Sequence, residues 1–179
     1  MKTDRDNAAG RDEAIHEIIT KYNSTPHHGE QADRFYMRAA LELAEIAASR
    51  GEVPVGCVIV RNDQIISADF NGREETHDAV CHAECSAISK ACRFLGGWRL
   101  TGCSLYVTLE PCPMCAGDIW NARVPKVVIG AKDAKAGALG SLINLNAYPL
   151  NHKPEVVFGI CEKEAARILR NFFAARRKS

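Results

Sequence analysis

The chain predicts an α/β fold, a sheet layered with helices on its faces, on three observations. Apolar, β-rich runs alternate with segments of helical periodicity along its length. One of those runs, "SLYVTL", is continuously apolar or β-branched, as expected of a strand buried on both faces. The 179 residues suffice for one domain with its own core. The composition is that of a globular protein, 46% hydrophobic and 25% charged, which sets aside the disordered and collagen-like classes.

Taken in order, residues 1–30 show weak patterning and read as a weakly structured N-terminal extension, with the domain proper spanning residues 31–179. Within the extension, "DEAIHEIITKY" spaces Ile15, Ile18, Ile19 and Tyr22 like a short amphipathic helix. "NSTPHHGEQ" then reads as linker, and His27–His28 as a linker pair, since no third type of metal ligand lies nearby. Residues 33–50 read as a helix with Asp33 as N-cap and Gly51 closing its C-terminus. "VPVGCVIV", the polar pair Asn62–Asp63 and "QIISADF" read as a β-hairpin. A loop carrying Asn71 and Gly72 leads to a helix over about 82–94. The strand "SLYVTL" is followed by a helix over 113–121, where Pro113 suits the first turn. "KVVIGA" and "EVVFGI" read as further strands, and 162–177 as a terminal helix.

The start "MKTDRDNAAGRDEA" lacks the apolar core of a secretory signal. No apolar run approaches the roughly 20 residues needed to span a bilayer. A cytoplasmic protein with no membrane partner is therefore expected. The eight cysteines then speak for metal binding or catalysis rather than a disulfide framework. Cys57, Cys92, Cys103 and Cys161 lie among apolar residues and read as small buried hydrophobes. The C-terminal stretch 162–179 carries Lys163, Arg167, Arg170, Arg176, Arg177 and Lys178 against Glu162 and Glu164, a local balance of +4. Such a stretch is either a nucleic-acid patch or a solvated helix end whose cations suit the helix dipole.

Two strand-to-helix junctions combine metal-ligand residues. "CHAECSAI" offers His82 and Glu84 where one helix begins, and "PCPMCAG" offers Cys112 and Cys115 where the next begins. In a sheet of this kind such helix starts converge at the carboxyl edge of the strands, where ligands bind. Helix N-termini also lower thiol pKa values and so favour the thiolates zinc requires. His82, Cys112 and Cys115 make three ligands, and three plus an open position marks a catalytic rather than a structural site. Cys81 or Cys85 would be needed to close it. Glu84, two residues after the histidine, is placed to act as a base beside the open position. The rival reading of Cys112-Pro-Met-Cys115 as a redox pair leaves His82 and Glu84 unused.

His82-Ala83-Glu84 followed by Pro111-Cys112-Pro113-Met114-Cys115 resembles the H-x-E…P-C-x-x-C signature of the zinc-dependent cytidine and adenosine deaminase superfamily. The likeness runs from about Phe35 to Arg177. "HDAVCHAE", "LYVTLEPCPMCAG", "GAKDAKAGALGSL" and "NFFAARR" are similar to the tRNA-specific adenosine deaminase branch more than to the branches acting on free nucleosides. The resemblance implies a cytidine-deaminase-like three-layer α/β/α sandwich with a five-stranded mixed sheet, one Zn2+ per chain and a homodimer. It implies hydrolytic deamination of adenosine to inosine at the first anticodon position of a tRNA, typically an arginine tRNA. The alternative is a deaminase of free bases or nucleosides, of guanine or cytosine type. A non-catalytic zinc-bearing RNA-binding subunit would lack the glutamate, and Glu84 is present.

Carried over by position, His82, Cys112 and Cys115 would hold zinc and Glu84 would shuttle protons. Asn71 would hydrogen-bond the extruded base. Lys132, Asp133 and Lys135 would touch flanking nucleotides. Phe172 or Phe173, with Arg176 and Arg177, would meet the anticodon loop, one of the two phenylalanines packing into the core. Unpaired loop bases are cheap to extrude, aromatic faces stack on them and guanidinium groups neutralise phosphates. The chain departs from the family pattern at Ala79, where proline is usual, and at Gly72, where a larger residue is common. Cys81 and Cys85 add thiols, and residues 1–30 have no family counterpart.

Overall fold

The computed structural model describes residues 4–25, 27 and 31–177. In chain order these form α1 (Asp4–Asn23), α2 (Ala32–Ser49), β1 (Gly56–Arg61), β2 (Gln64–Phe70), α3 (Arg73–Thr76), α4 (Ala83–Leu95), β3 (Cys103–Leu109), α5 (Pro113–Asn121), β4 (Lys126–Ala131), β5 (Glu155–Phe158) and α6 (Glu162–Arg176). A 3-10 turn occupies Leu145–Ala147.

Asn62 and Asp63 both take positive φ, 50° and 58°, the backbone that a two-residue hairpin turn of matching twist requires. That turn pairs β1 with β2 antiparallel. β1 also pairs antiparallel with β3, and β3–β4–β5 run parallel, giving a mixed five-stranded sheet in the order β2-β1-β3-β4-β5. The period-two alternation along β1 divides its side chains between two cores. Val58 and Val60 face α1, α2 and α6, with Ile18, Met37 and Ala165 among the helical partners. Cys57 and Ile59 face α4 and α5, with Ala87, Ile88 and Ile119 opposite. The result is the expected three-layer α/β/α sandwich. At Gly56 a Cβ would overlap the Ala40 carbonyl, so the missing side chain lets α2 lie directly on β1.

Three expectations are corrected. The stretch 1–30 is not weakly structured over α1, a helix of 20 residues that buries Ile15, Ile18 and Tyr22 against β2 and α2. At its end the Asn23 side-chain amide donates to the Ile65 carbonyl (2.9 Å) and its oxygen accepts from the Ile65 N–H (2.7 Å), pairing an edge strand. Asp33 is not the N-cap of α2; Gln31 precedes the helix. The Asp33 carboxylate instead accepts from Tyr106 Oη and Lys126 Nζ, each at 2.9 Å, because two sheet donors offer more than the local amides. Neither Phe172 nor Phe173 joins the buried core: Phe172 is half-buried and Phe173 is 44% exposed. Gly51, φ 81°, follows α2 as a helix-closing glycine should. His28 lies outside the described residues, and the His27 ring packs edge-on against Phe35 at 4.0 Å.

This topology makes a site at one edge. β2 runs parallel to β3 and β4, so the chain leaves all three strands at the same edge, where β1 begins.

Candidate metal centre and active-site cleft

Both donor segments enter that edge as helix N-caps. His82 precedes α4 and Cys112 precedes α5, each with extended backbone, and Pro113 occupies the first turn of α5. A side chain at such a position meets the positive ends of two helices. The Sγ atoms of Cys112 and Cys115 lie 3.8 and 3.4 Å from Nδ1 of His82. Among the described residues these three form the group whose donor atoms all fall within 4.8 Å of one another. Tetrahedral zinc with typical Zn–S and Zn–N lengths places sulfur and nitrogen about 3.5 Å apart. The donor set therefore fits zinc in chemistry and in spacing.

The thiols are poised for a metal. The Cys112 thiol is pulled down to about 3, first by the hydrogen bond from the Cys115 thiol and also by His82. Cys115 is pushed up, because it is the partner that keeps the shared proton, with Cys85 and burial adding to the effect. A zinc ion held by the two thiolates would take the place of that proton. Cys81 contacts Ser86 Oγ at 3.7 Å, and Cys85 contacts Cys115 Sγ at 3.7 Å without joining the donor group. Three donors thus converge, not four.

Glu84 stands in the first turn of α4, 3% exposed, and burial pushes its carboxyl up to about 7. It lines a cleft of about 150 Å³, partly open to solvent, together with Asn71, His82, Cys112 and Asp133. The cleft walls add Val53, Val55 and Leu109, with Arg73 and Glu110 as polar members. Apolar walls with a few convergent polar groups are what a small planar ligand requires.

Asn71 follows β2 directly and is buried. Its amide donates to Glu52 Oε2 at 2.9 Å, and its backbone N–H reaches the Val55 carbonyl. Glu52 is fully buried and was not anticipated from the sequence; its signal was a lone carboxylate between Gly51 and the apolar run "VPVGCVIV". Glu110, beside Pro111 and Cys112, carries no sequence signal that sets it apart from the ligands. Its carboxylate accepts from the N–H groups of Asp133, Leu139 and Ser141 and from the Ser141 hydroxyl, pinning the loop after β4. Burial opposes ionisation of Glu110, but those four donors outweigh it and hold its pKa low.

The other anticipated site residues divide. Asp133 lines the cleft, while its Oδ1 accepts from the N–H groups of Lys135 and Ala136 and so shapes the loop. Lys132 and Lys135 are exposed on that loop outside the cleft wall. Phe172, Phe173, Arg176 and Arg177 lie at the end of α6, outside the cleft lining. Arg176 nevertheless donates to the Gly51 carbonyl at 3.0 Å, two residues before the lining residue Val53.

Fold and site together define a zinc-binding deaminase: residues 30–131 match the family model of the cytidine and deoxycytidylate deaminase zinc-binding region, more than half of the chain, and the chain belongs to that family. Among its relatives, the tRNA-specific adenosine deaminase of Bacillus subtilis (strain 168) is 48% identical over 147 residues, covering 82% of this chain and 91% of the relative. That of Rickettsia bellii (strain RML369-C) is 44% identical over 140 residues, covering 76% and 97%. A solved structure from work on A-to-I editing by tRNA:A34 deaminases at the wobble position is 43% identical, with a TM-score of 0.73, covering 75% of this chain and 98% of that one. The guanine deaminase of Nitrosomonas europaea, 22% identical with a TM-score of 0.70 over 87% and 92% of the two chains, shares the fold.

Proposed function

We propose that this protein hydrolyses adenosine to inosine at the wobble position of a tRNA, using one zinc ion held by His82, Cys112 and Cys115. The observation that carries the chemistry is the buried Glu84 carboxyl in the same cleft as the three converging donors. The tRNA substrate is supported by relatives named for that activity at 41–48% identity. An arginine tRNA is the substrate we test first, on the family resemblance. The deaminase domain is assigned to residues 31–179, with α1 as an extension packed on it, and the protein to the cytoplasm. Among the described residues no helix is long and apolar enough to cross a membrane. A homodimer is in keeping with the family and with the apolar Val80 and Met114, exposed on the segments that carry the ligands.

When bound, zinc supplies acidification of a water molecule, less strongly with two thiolates than with histidines alone. Glu84 takes the proton that water must lose as its oxygen attacks C6 of the adenine. The same carboxyl delivers that proton to N1 and, once the tetrahedral adduct has formed, takes the proton of the adduct's hydroxyl and passes it to the amino group, which leaves as ammonia while the C6 carbonyl forms. Burial favours the neutral form of this carboxyl and so helps it to take up a proton and hold it for transfer. Asn71, held from behind by Glu52, presents its side-chain carbonyl to the base. Val53, Val55 and Leu109 exclude water from the purine faces.

The test incubates zinc-loaded protein with an arginine tRNA bearing adenosine at the wobble position and, separately, with free adenosine, cytidine and guanine. Inosine in the tRNA alone is the expected outcome. Turnover of guanine or cytidine with none in the tRNA would assign the site to free bases or nucleosides.

A further inference from the structure

Arg11 belongs to α1, ahead of the region that matches the family model. Its side chain is 10% exposed and lies under the turn that carries Asn71. Nε and Nη2 donate to Asp69 Oδ1 at 3.1 and 2.6 Å, and Nη2 also donates to the Phe70 carbonyl. Nη1 reaches Glu75 Oε2 at 3.3 Å, and the guanidinium stacks 3.9 Å from the Phe70 ring centroid. One side chain therefore grips both ends of the segment 69–75. A fork of fixed geometry does this where a flexible ammonium would not.

The grip continues to the cleft. Glu75 is also held by Arg50, and its backbone N–H donates to Glu52 Oε1 at 2.7 Å. The other oxygen of Glu52 accepts from the Asn71 amide. Gly72 N–H donates to the Cys81 carbonyl at 3.1 Å, joining the same turn to the residue before His82. Gly72 itself departs from the family pattern, and the structure supplies a reason: a Cβ there would come within 2.5 Å of Arg11 Nη1. The glycine and the extension belong together.

We propose that α1 is part of the active-site scaffold of this protein and that Arg11 is a positioning residue for the Asn71 side chain, admitted by Gly72. The proposal rests on the reading of Asn71 as the group that contacts the target base. Arg11 touches no substrate; it fixes the turn whose displacement would move the amide.

The test compares zinc-loaded wild type, Arg11→Lys, Arg11→Met, Gly72→Ala, Asn71→Ala and the double variant Arg11→Met/Asn71→Ala. Arg11→Met and Gly72→Ala should each lower kcat/KM on tRNA on the order of tenfold at unchanged zinc content, and Arg11→Lys should recover part of it. In the Asn71→Ala background Arg11→Met should cost less than about twofold, since the amide it positions is gone. A separate loss of stability would persist in both backgrounds. Wild-type kcat/KM in Arg11→Met, or a loss undiminished in the double variant, would overturn the proposal. If Asn71→Ala keeps full activity, the base-contact reading fails, and the role of Arg11 is then judged by NMR. The Asn71 side-chain amide signal, assigned by its absence in Asn71→Ala, should move in Gly72→Ala and Arg11→Lys; an unmoved signal overturns the proposal even if Arg11→Met does not fold.

Discussion

At the donor cluster every side chain is enclosed and held by several constraints, whereas the end of α6 lies at the surface, tied to the body of the domain through Arg176 and the Gly51 carbonyl. His82 and Cys112 are fixed as N-caps, Cys115 is fully buried, and Glu84 is buried in the cleft wall. Phe173 is 44% exposed and Arg177 lies exposed just past the helix, while the Phe172 ring packs against Phe173 and the Arg176 guanidinium. On the function proposed above, the difference separates two kinds of residue. Groups that do chemistry must be in place before substrate arrives, because misplacement by an ångström is costly. Groups that meet a large polyanion do so from the surface, where phosphate contacts add affinity without a rigid frame.

The largest effect that can break this contrast is at the buried end. Cys115→Ala should lose bound zinc almost entirely, read as metal per chain by atomic absorption; full occupancy would mean that Cys85, 3.7 Å away, can serve in its place. Next, Glu84→Ala should keep zinc yet lower the deamination rate by about 10²–10⁴-fold, the range for a general acid–base group. Retained turnover would remove Glu84 from the mechanism.

Smaller, and opposite in sign, is the effect of the same position on stability. Burial raises the folded-state pKa of Glu84 from 4.5 to about 7, so between those values the native state binds more protons than the unfolded one. The contribution of Glu84 to the stability of the zinc-free protein should therefore fall as pH rises through that window and level off above it. Glu84→Gln should remove this contribution and so change the slope of stability against pH in that window, with the zinc-free variant more stable than wild type at pH 8 by about 1–3 kcal/mol, measured by denaturant titration. Equal slopes would show that Glu84 is not strained by its burial. The smallest effect belongs to α6: Arg177→Ala should weaken tRNA binding by only about two- to fivefold, reduce the salt slope by about one and leave zinc content and melting temperature unchanged. A loss of zinc in that variant would erase the distinction between the two regions.

The donor residues were legible because their signal is local. A ligand at the start of a helix needs only a strand before it, a cap position and the right donor type, and "CHAE" and "EPCPMC" carry all three. The strands were legible for the same reason: alternation or continuity of apolar residues is a property of six or seven neighbours. Where a local rule met a stronger distant partner it failed, as at Asp33, whose carboxylate prefers Tyr106 and Lys126 across 73 and 93 residues to the amides beside it.

By itself, then, the sequence determined the α/β layering, the three zinc donors and the glutamate beside them. Tertiary structure alone decided what lies behind them. Glu52 reaches Asn71 across 19 residues and Arg11 reaches Asp69 across 58. Such pairs leave no period or motif in the chain, because a buried charge is satisfied by whatever folding brings to it. Gly72 is the clearest case: in the sequence it is a departure from the family pattern, and in the fold it is the space an arginine from α1 occupies.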